Sequence, residues 1–226
     1  MFGAGPGARR PLIRNDSKGL MTEVGFAALA GVSRETIHRF ARYLELLRRW
    51  QTRINLVSKA SLADPWRRHF LDSAQLFPLI APASARLYDI GSGAGFPGLV
   101  LAIMGLRDVH LIEADQRKAE FLREAARITG AHVSIHVVRA EQFSPADGDF
   151  VAARGCAVLA ELLGLAKPLL KPSGICIFLK GKGVDAELTD ARKIWSMKIS
   201  RLPSKSDPEG TILRLEELRR VGNSSG

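Results

Sequence analysis

The stretch LYDIGSGAGFPGL, residues 87–99, sets a short apolar run, Leu87 to Ile90, ahead of a turn with glycine at positions 91, 93, 95 and 98. Glycine tolerates positive φ and lets the backbone approach a ligand without a Cβ, and the first turn of a following helix offers unpaired N–H groups. A strand, a ligand-binding turn and a helix are therefore expected in that order. Downstream, strand-like and helical patterns alternate. VHLIEA (109–114) precedes a helix across Lys118 to Thr129; VSIHVV (133–138) and DFVAAR (149–154) precede a helix across Val158 to Leu170 and then GICIFLK (174–180). Such alternation predicts a mostly parallel sheet covered on both faces. After a helix near Asp185 to Trp195, the runs KISRLP (198–203) and TILRLEEL (211–218) flank Asp207-Pro-Glu-Gly210 and predict an antiparallel hairpin at the sheet edge.

The turn's ligand is constrained by two acidic residues. Glu113 falls 24 residues after Asp89, at the end of the second strand, where a carboxylate can accept bonds from both ribose hydroxyls of an adenosine. Gly93, Gly95 and Gly98 satisfy G-x-G-x-x-G, with Glu113 20 residues beyond Gly93, so a nicotinamide dinucleotide also fits. Asp89, two residues before Gly91, favours S-adenosylmethionine. A carboxylate beside the loop can bind the methionine ammonium, and no pyrophosphate has to be accommodated. Seven strands ending in a hairpin point the same way, to an α/β fold of the Rossmann-like, class I S-adenosylmethionine-dependent methyltransferase type over residues 86–220.

Upstream of this core, Ser33 precedes RETIHRFARYLELLRRW, in which Ile37, Phe40, Leu44, Leu47 and Trp50 recur at helical spacing. A second helix is expected to open at Asp64-Pro65 and run through Trp66, Phe70, Ala74 and Phe77. Residues 21–85 thus read as a helical cap. The cap is basic: residues 1–86 carry 14 Lys and Arg against 6 Asp and Glu, whereas residues 87–226 carry 19 against 17. That asymmetry suits a polyanionic partner, with Arg48, Arg49 and Arg53 as candidate phosphate contacts. His69 and Asp72, three apart, are candidates for orienting RNA, for binding metal, or for a hydrogen-bonded structural pair. The segments 1–20 and 221–226 read as flexible tails; the first lacks the continuous apolar run of a secretion signal. No stretch approaches the ~18 apolar residues of a membrane span. The 226 residues include only two cysteines, Cys156 and Cys176, without metal-binding spacing, so no metal site is expected and a reducing cytoplasm suits the chain.

Taken together, RINLVSKASLADPWRRHFLDS (53–73), the glycine turn, LIEADQRKAEFLREAAR (111–127), VVRAEQF (137–143), ARGCAVLAELLGLAKPLL (153–170) and FLKGK (178–182) resemble the RsmG (GidB) family of bacterial ribosomal RNA methyltransferases. The resemblance covers most of residues 21–215. It implies methyl transfer from S-adenosylmethionine to N7 of a guanine in the 530 loop of 16S rRNA, with the small ribosomal subunit as partner; a monomer is expected. By position it implies that Gly91, Phe96, Ala140, Glu141 and Arg154 contact the cofactor and that Glu113 holds the ribose. Relatives commonly carry Ala after the Arg, where this chain has Gly155-Cys156.

Guanine N7 bears an in-plane lone pair and no proton, so its methylation needs positioning and electrostatics but no general base. Exocyclic-amine methylation usually employs an Asn/Asp-Pro-Pro-aromatic turn after the fourth strand; Ala153-Arg154-Gly155-Cys156 stands there instead. Arg154 and Lys180, at neighbouring strand ends, are the candidate catalytic residues, for the methionine carboxylate, the guanine O6 edge or a phosphate. The alternatives are a pyrimidine-C5 methyltransferase using a Cys156 thiolate, a nicotinamide-dependent oxidoreductase, and a non-catalytic RNA-binding protein.

Overall fold

The computed structural model describes residues 19–222. Most of the two expected tails lies outside the described residues. At their inner ends the Gly19 carbonyl accepts from Arg67, and the Val221 N–H donates to the Ile194 carbonyl.

Seven strands form one sheet: β1 (Arg86–Ile90), β2 (Asp108–Ile112), β3 (Ser134–His136), β4 (Gly148–Arg154), β5 (Leu170–Lys180), β6 (Trp195–Pro203) and β7 (Thr211–Arg220). Their spatial order is β3-β2-β1-β4-β5-β7-β6. The first five run parallel, and β7 inserts antiparallel between β5 and β6. This is the sheet that the alternating pattern predicts, with its hairpin at one edge. The order reverses between β1 and β4, so the crevice beyond their C-terminal ends is the expected ligand position.

Helices α5 (Gly98–Met104) and α6 (Gln116–Thr129) cover one face, α7 (Leu159–Ala166) and α8 (Val184–Arg192) the other. Asp115 caps α6 by accepting from the N–H groups of Arg117 and Lys118, and Gly130 ends it in the left-handed conformation. Several boundaries differ from the sequence expectation. The VSIHVV strand is only three residues long. The helix expected to reach Leu170 stops at Ala166 and passes into a 3-10 turn, Lys167–Leu169, where Pro168 cannot donate to a continuing helix. Trp195 opens β6 rather than closing α8.

The cap comprises α1 (Glu23–Ala30), α2 (Arg34–Gln51), α3 (Lys59–Leu62) and a π-helical turn, Trp66–Leu71, that runs into α4 (Asp72–Ala74). Ser33 caps α2 as expected. Helix α1 is not signalled by a clear apolar stripe; Thr22 at its start and left-handed Gly31 at its end delimit it. The buried face of α2 is wider than the predicted stripe, because Tyr43 and Leu46 join Ile37, Phe40, Leu44 and Leu47. Phe26 and Phe40 meet edge to face, Trp66 and Phe70 pack tilted against them, and the same apolar cluster continues into Leu87, Leu99, Leu111 and Phe121. Burial of each such side chain contributes about 1.5–3 kcal/mol, so the cap and the sheet share one core. Polar ties reinforce the join. Arg39 donates to the carbonyls of Ile103, Thr129 and Gly130 at the ends of α5 and α6, and the Trp50 indole donates to Glu124.

Candidate active site

The glycine turn follows β1 as a run of left-handed residues, with φ of +63° at Gly91, +56° at Gly93 and +88° at Gly95. The glycines serve different purposes. A Cβ on Gly93 would meet nothing closer than the Gly91 carbonyl at 3.7 Å, so this position leaves the open approach that a ligand requires. A Cβ on Gly95 would lie 2.6 Å from the Tyr43 hydroxyl and 2.9 Å from Leu99 Cβ. Packing against the cap thus requires glycine at 95, whatever its backbone offers to the cofactor. Tyr43, fully buried, donates its hydroxyl to the Ala94 carbonyl and stacks on Phe96 at 5.4 Å. Sequence reading missed this residue; a polar-tipped aromatic inside the apolar stripe of α2 is the signal that could have found it.

Glu113 stands at the end of β2 and braces the turn. One carboxylate oxygen accepts from the Gly93 N–H at 2.8 Å and the other from the Asp115 N–H at 2.8 Å. Each oxygen keeps lone-pair capacity for a further donor, as a ribose diol would demand. Asp89 is fully buried. Its Oδ2 accepts from the Gly98 N–H at 3.0 Å, while its Oδ1 has no partner among the described residues. An orphaned buried acceptor is costly, and an ammonium donor would satisfy it. The open Gly93, the braced Glu113 and the orphaned Asp89 oxygen therefore fit S-adenosylmethionine.

Burial, opposed by the hydrogen bond from the Gly98 N–H and by the nearby Arg154 charge, pushes the Asp89 carboxyl up to about 7. Since the unfolded chain ionises this group at lower pH, the contribution of its proton to stability is lost as pH rises through 7, unless a cation is bound there. S-adenosylhomocysteine, which keeps the ammonium, is expected to bind roughly eightfold more tightly at about pH 7.5 than at about pH 6, following the ionised fraction. Asp89→Asn should flatten this profile in calorimetric titrations; an unchanged slope would remove Asp89 from the ammonium site.

Arg154, at the end of β4, is held by the cap. Its guanidinium donates to the Arg68 carbonyl at 3.0 Å, to Asp72 Oδ2 at 3.3 Å and to His69 Nδ1 at 3.2 Å, and lies 4.8 Å over the Phe96 ring. His69 is buried, stacks on Phe96 and makes no hydrogen bond to Asp72, so the expected His69–Asp72 pair is not formed. The two meet at Arg154 instead. Burial and the neighbouring Arg154 and Arg68 push the His69 imidazole down to about 3. It is neutral, and since a guanidinium only donates, Nδ1 accepts and Nε2 carries the proton.

Lys180 is also more enclosed than expected. Its ammonium donates to the Ala157 carbonyl at 2.8 Å and to Glu187 at 2.7 Å, and Glu187 in turn accepts from the Leu159 N–H at the start of α7. The ammonium orients the Gly155–Val158 segment instead of standing free as a catalytic cation. Ala140 and Glu141 form a 3-10 turn after β3, beside the strand that carries Glu113. Cys156 abuts the glycine turn, its Cβ 3.0 Å from where a Gly91 Cβ would be. Although the residue is exposed, desolvation of the thiol against its neighbours and the nearby Asp89 carboxylate push it up to about 11, so it is not a poised thiolate. Arg48 and Arg49 in the last turn of α2 and Arg53 just beyond it are exposed.

Comparison with known proteins agrees with this geometry. Among solved structures, a TehB-like SAM-dependent methyltransferase from Corynebacterium glutamicum superposes with a TM-score of 0.55 at 16% identity, covering 78% of this chain and 98% of that one. The N-methyltransferase NodS from Bradyrhizobium japonicum, in complex with S-adenosyl-l-homocysteine, gives 0.53 at 17% identity over 77% and 97%. These likenesses establish the class I methyltransferase fold. The Ribosomal RNA small subunit methyltransferase G of Rhodospirillum centenum is 53% identical over 201 residues, covering 89% of this chain and 93% of the relative, and that of Rhodospirillum rubrum is 53% identical over 201 residues, covering 89% and 100%. The family profile described as rRNA small subunit methyltransferase G matches residues 36–210, and the chain belongs to that family, GidB.

Proposed function

We propose that this chain transfers a methyl group from S-adenosylmethionine to N7 of a guanine in the 530 loop of 16S rRNA, working as a cytoplasmic monomer on the small ribosomal subunit. Membership of the family supports a small-subunit rRNA methyltransferase rather than an oxidoreductase or a non-catalytic binder. When bound, S-adenosylmethionine supplies an electrophilic methyl on a sulfonium. The residues to hold it are Asp89 at the ammonium, the Gly91–Gly93 backbone, and Glu113 at the ribose.

The observation that carries the choice of N7 is the state of the groups around Arg154. His69, held near 3, is a very weak base, and the Cys156 thiol, held near 11, is a poor nucleophile at neutral pH. A pyrimidine ring would need the thiolate, and the turn after the fourth strand lacks the Asn/Asp-Pro-Pro-aromatic sequence that an exocyclic amine usually employs. An unprotonated ring nitrogen needs neither. The chain's own work is to orient the base and place positive charge near it through Arg154.

The exposed arginines of α2 supply the polyanion contact in this reading. Reversing Arg48, Arg49 and Arg53 together to Glu is expected to make the log–log dependence of RNA affinity on salt shallower by about 2 to 3, one unit or slightly less per phosphate contact. S-adenosylhomocysteine affinity should be unchanged. Filter binding of 16S rRNA over a salt series checks this; a parent-like slope would assign docking to another surface.

A further inference from the structure

A cavity of about 360 Å³ lies between the cap and the ends of β4 and β5. Leu56 and Leu179 give it apolar walls, and Arg154 and Gly155 line it at the end of β4. There it adjoins the cofactor turn, because the neighbouring Cys156 touches Gly91. Two features indicate that a polar ligand belongs in it. His69 lines the cavity, and its buried Nε2–H has no partner among the described residues. A buried donor without a partner calls for an acceptor. Arg68 and Asp207 also line the cavity and pair at 2.8 Å, linking the cap to the β6–β7 loop. Asp207 is fixed by accepting from the Glu209 N–H at 3.0 Å, and both side chains remain partly open, with 48% and 32% exposure.

A guanidinium beside a carboxylate offers a donor followed by two acceptors. The Watson–Crick edge of guanine offers the complement: the O6 acceptor, then the N1–H and 2-amino donors. Adenine reverses the first two and is disfavoured. We infer that this cavity receives the target guanine, extruded from its stack, and that the Arg68–Asp207 pair reads its Watson–Crick edge. The base packs between Leu56 and Leu179, and its N7 edge turns toward Arg154 and the end of β4. Extrusion is the general solution for enzymes that must reach an atom of a stacked base. The inference rests on the N7 reading above and adds the residues that select guanine.

The test uses small subunits reconstituted with 16S rRNA carrying guanosine or inosine at the target position. Inosine keeps O6 and N1–H and lacks only the 2-amino group. The parent protein is expected to methylate guanosine with a kcat/KM about 5- to 150-fold above inosine, the discrimination a bidentate contact supplies. Asp207→Ala removes the acceptor of both N1–H and the 2-amino group, so it should lower turnover of both substrates, guanosine the more, leaving a preference within about twofold. Arg68→Ala should slow both substrates. S-adenosylhomocysteine affinity, measured by calorimetry, should stay at the parent value in each variant. Asp207→Asn keeps an acceptor for the Glu209 N–H and should lose the same preference if Asp207→Ala does not fold. Equal use of guanosine and inosine by the parent, or a parent-like preference in either Asp207 variant, overturns the pocket assignment alone. A parent that methylates neither RNA defeats the N7 reading and the pocket with it.

Discussion

Arg154→Ala is expected to reduce methyl transfer to 16S rRNA by about 10²- to 10³-fold, the usual cost of removing a fixed charge-stabilising donor from a reaction site. The geometry adds a structural component. The guanidinium satisfies the Arg68 carbonyl, His69 Nδ1 and Asp72, and covers Phe96, so its loss leaves the buried His69 Nδ1 without its donor and Phe96 uncovered. A destabilisation of about 2–3 kcal/mol should accompany the kinetic defect. Arg154→Lys should recover little activity, since an ammonium cannot reproduce a planar fork with three acceptors. Thermal melts run beside the assay separate the two components. A folded Arg154→Ala protein that turns over at the parent rate would remove Arg154 from the reaction.

The second large effect concerns Glu113. Both of its oxygens already hold backbone N–H groups, of Gly93 and Asp115, before any ligand arrives. Glu113→Ala therefore deletes the ribose acceptor and the brace of the turn together. Cofactor affinity is expected to fall by about 3 kcal/mol, the upper range for hydrogen bonds to a charged group. Glu113→Gln should lie between, because an amide offers one acceptor oxygen and must leave one of the two N–H groups unpaired. Calorimetry with S-adenosylhomocysteine measures both; an affinity unchanged by Glu113→Ala would place the ribose elsewhere.

What was legible in the sequence was local. The turn announces itself through glycines within eight residues of one another, and Glu113 through a strand that ends at a fixed distance from Asp89. The capping residue Ser33 acts on an N–H group three positions away, so it too can be read along the chain. What was not legible depends on contacts between distant segments. The need for glycine at position 95 comes from Tyr43, 52 residues earlier, and nothing near either residue signals the other. The Arg68–Asp207 pair spans 139 residues. Lys180 was read as a free cation because its partner Glu187 lies on the next helix, and an acidic residue on a helix is ordinarily solvated. The spacing of His69 and Asp72 suggests a direct pair, whereas both turn to Arg154, 82 or more residues away. The cofactor half of the site is thus written largely in short-range pattern. The half that faces the substrate is assembled by the docking of the cap.

The central claim is that a methyl group reaches guanine N7 without help from a thiolate. N7-methylguanosine carries a positive charge on its imidazole ring, so borohydride reduction followed by aniline cleaves the RNA at that nucleotide, whereas a C5-methylated pyrimidine is inert to the treatment. The measurement is aniline cleavage mapping of 16S rRNA after incubation of unmethylated small subunits with the purified protein and S-adenosylmethionine, using the parent and Cys156→Ser in parallel. The account predicts a cleavage in the 530 loop that requires both protein and S-adenosylmethionine and persists in Cys156→Ser. Methyl incorporation with no aniline-sensitive site there, lost in a folded Cys156→Ser protein, would contradict it.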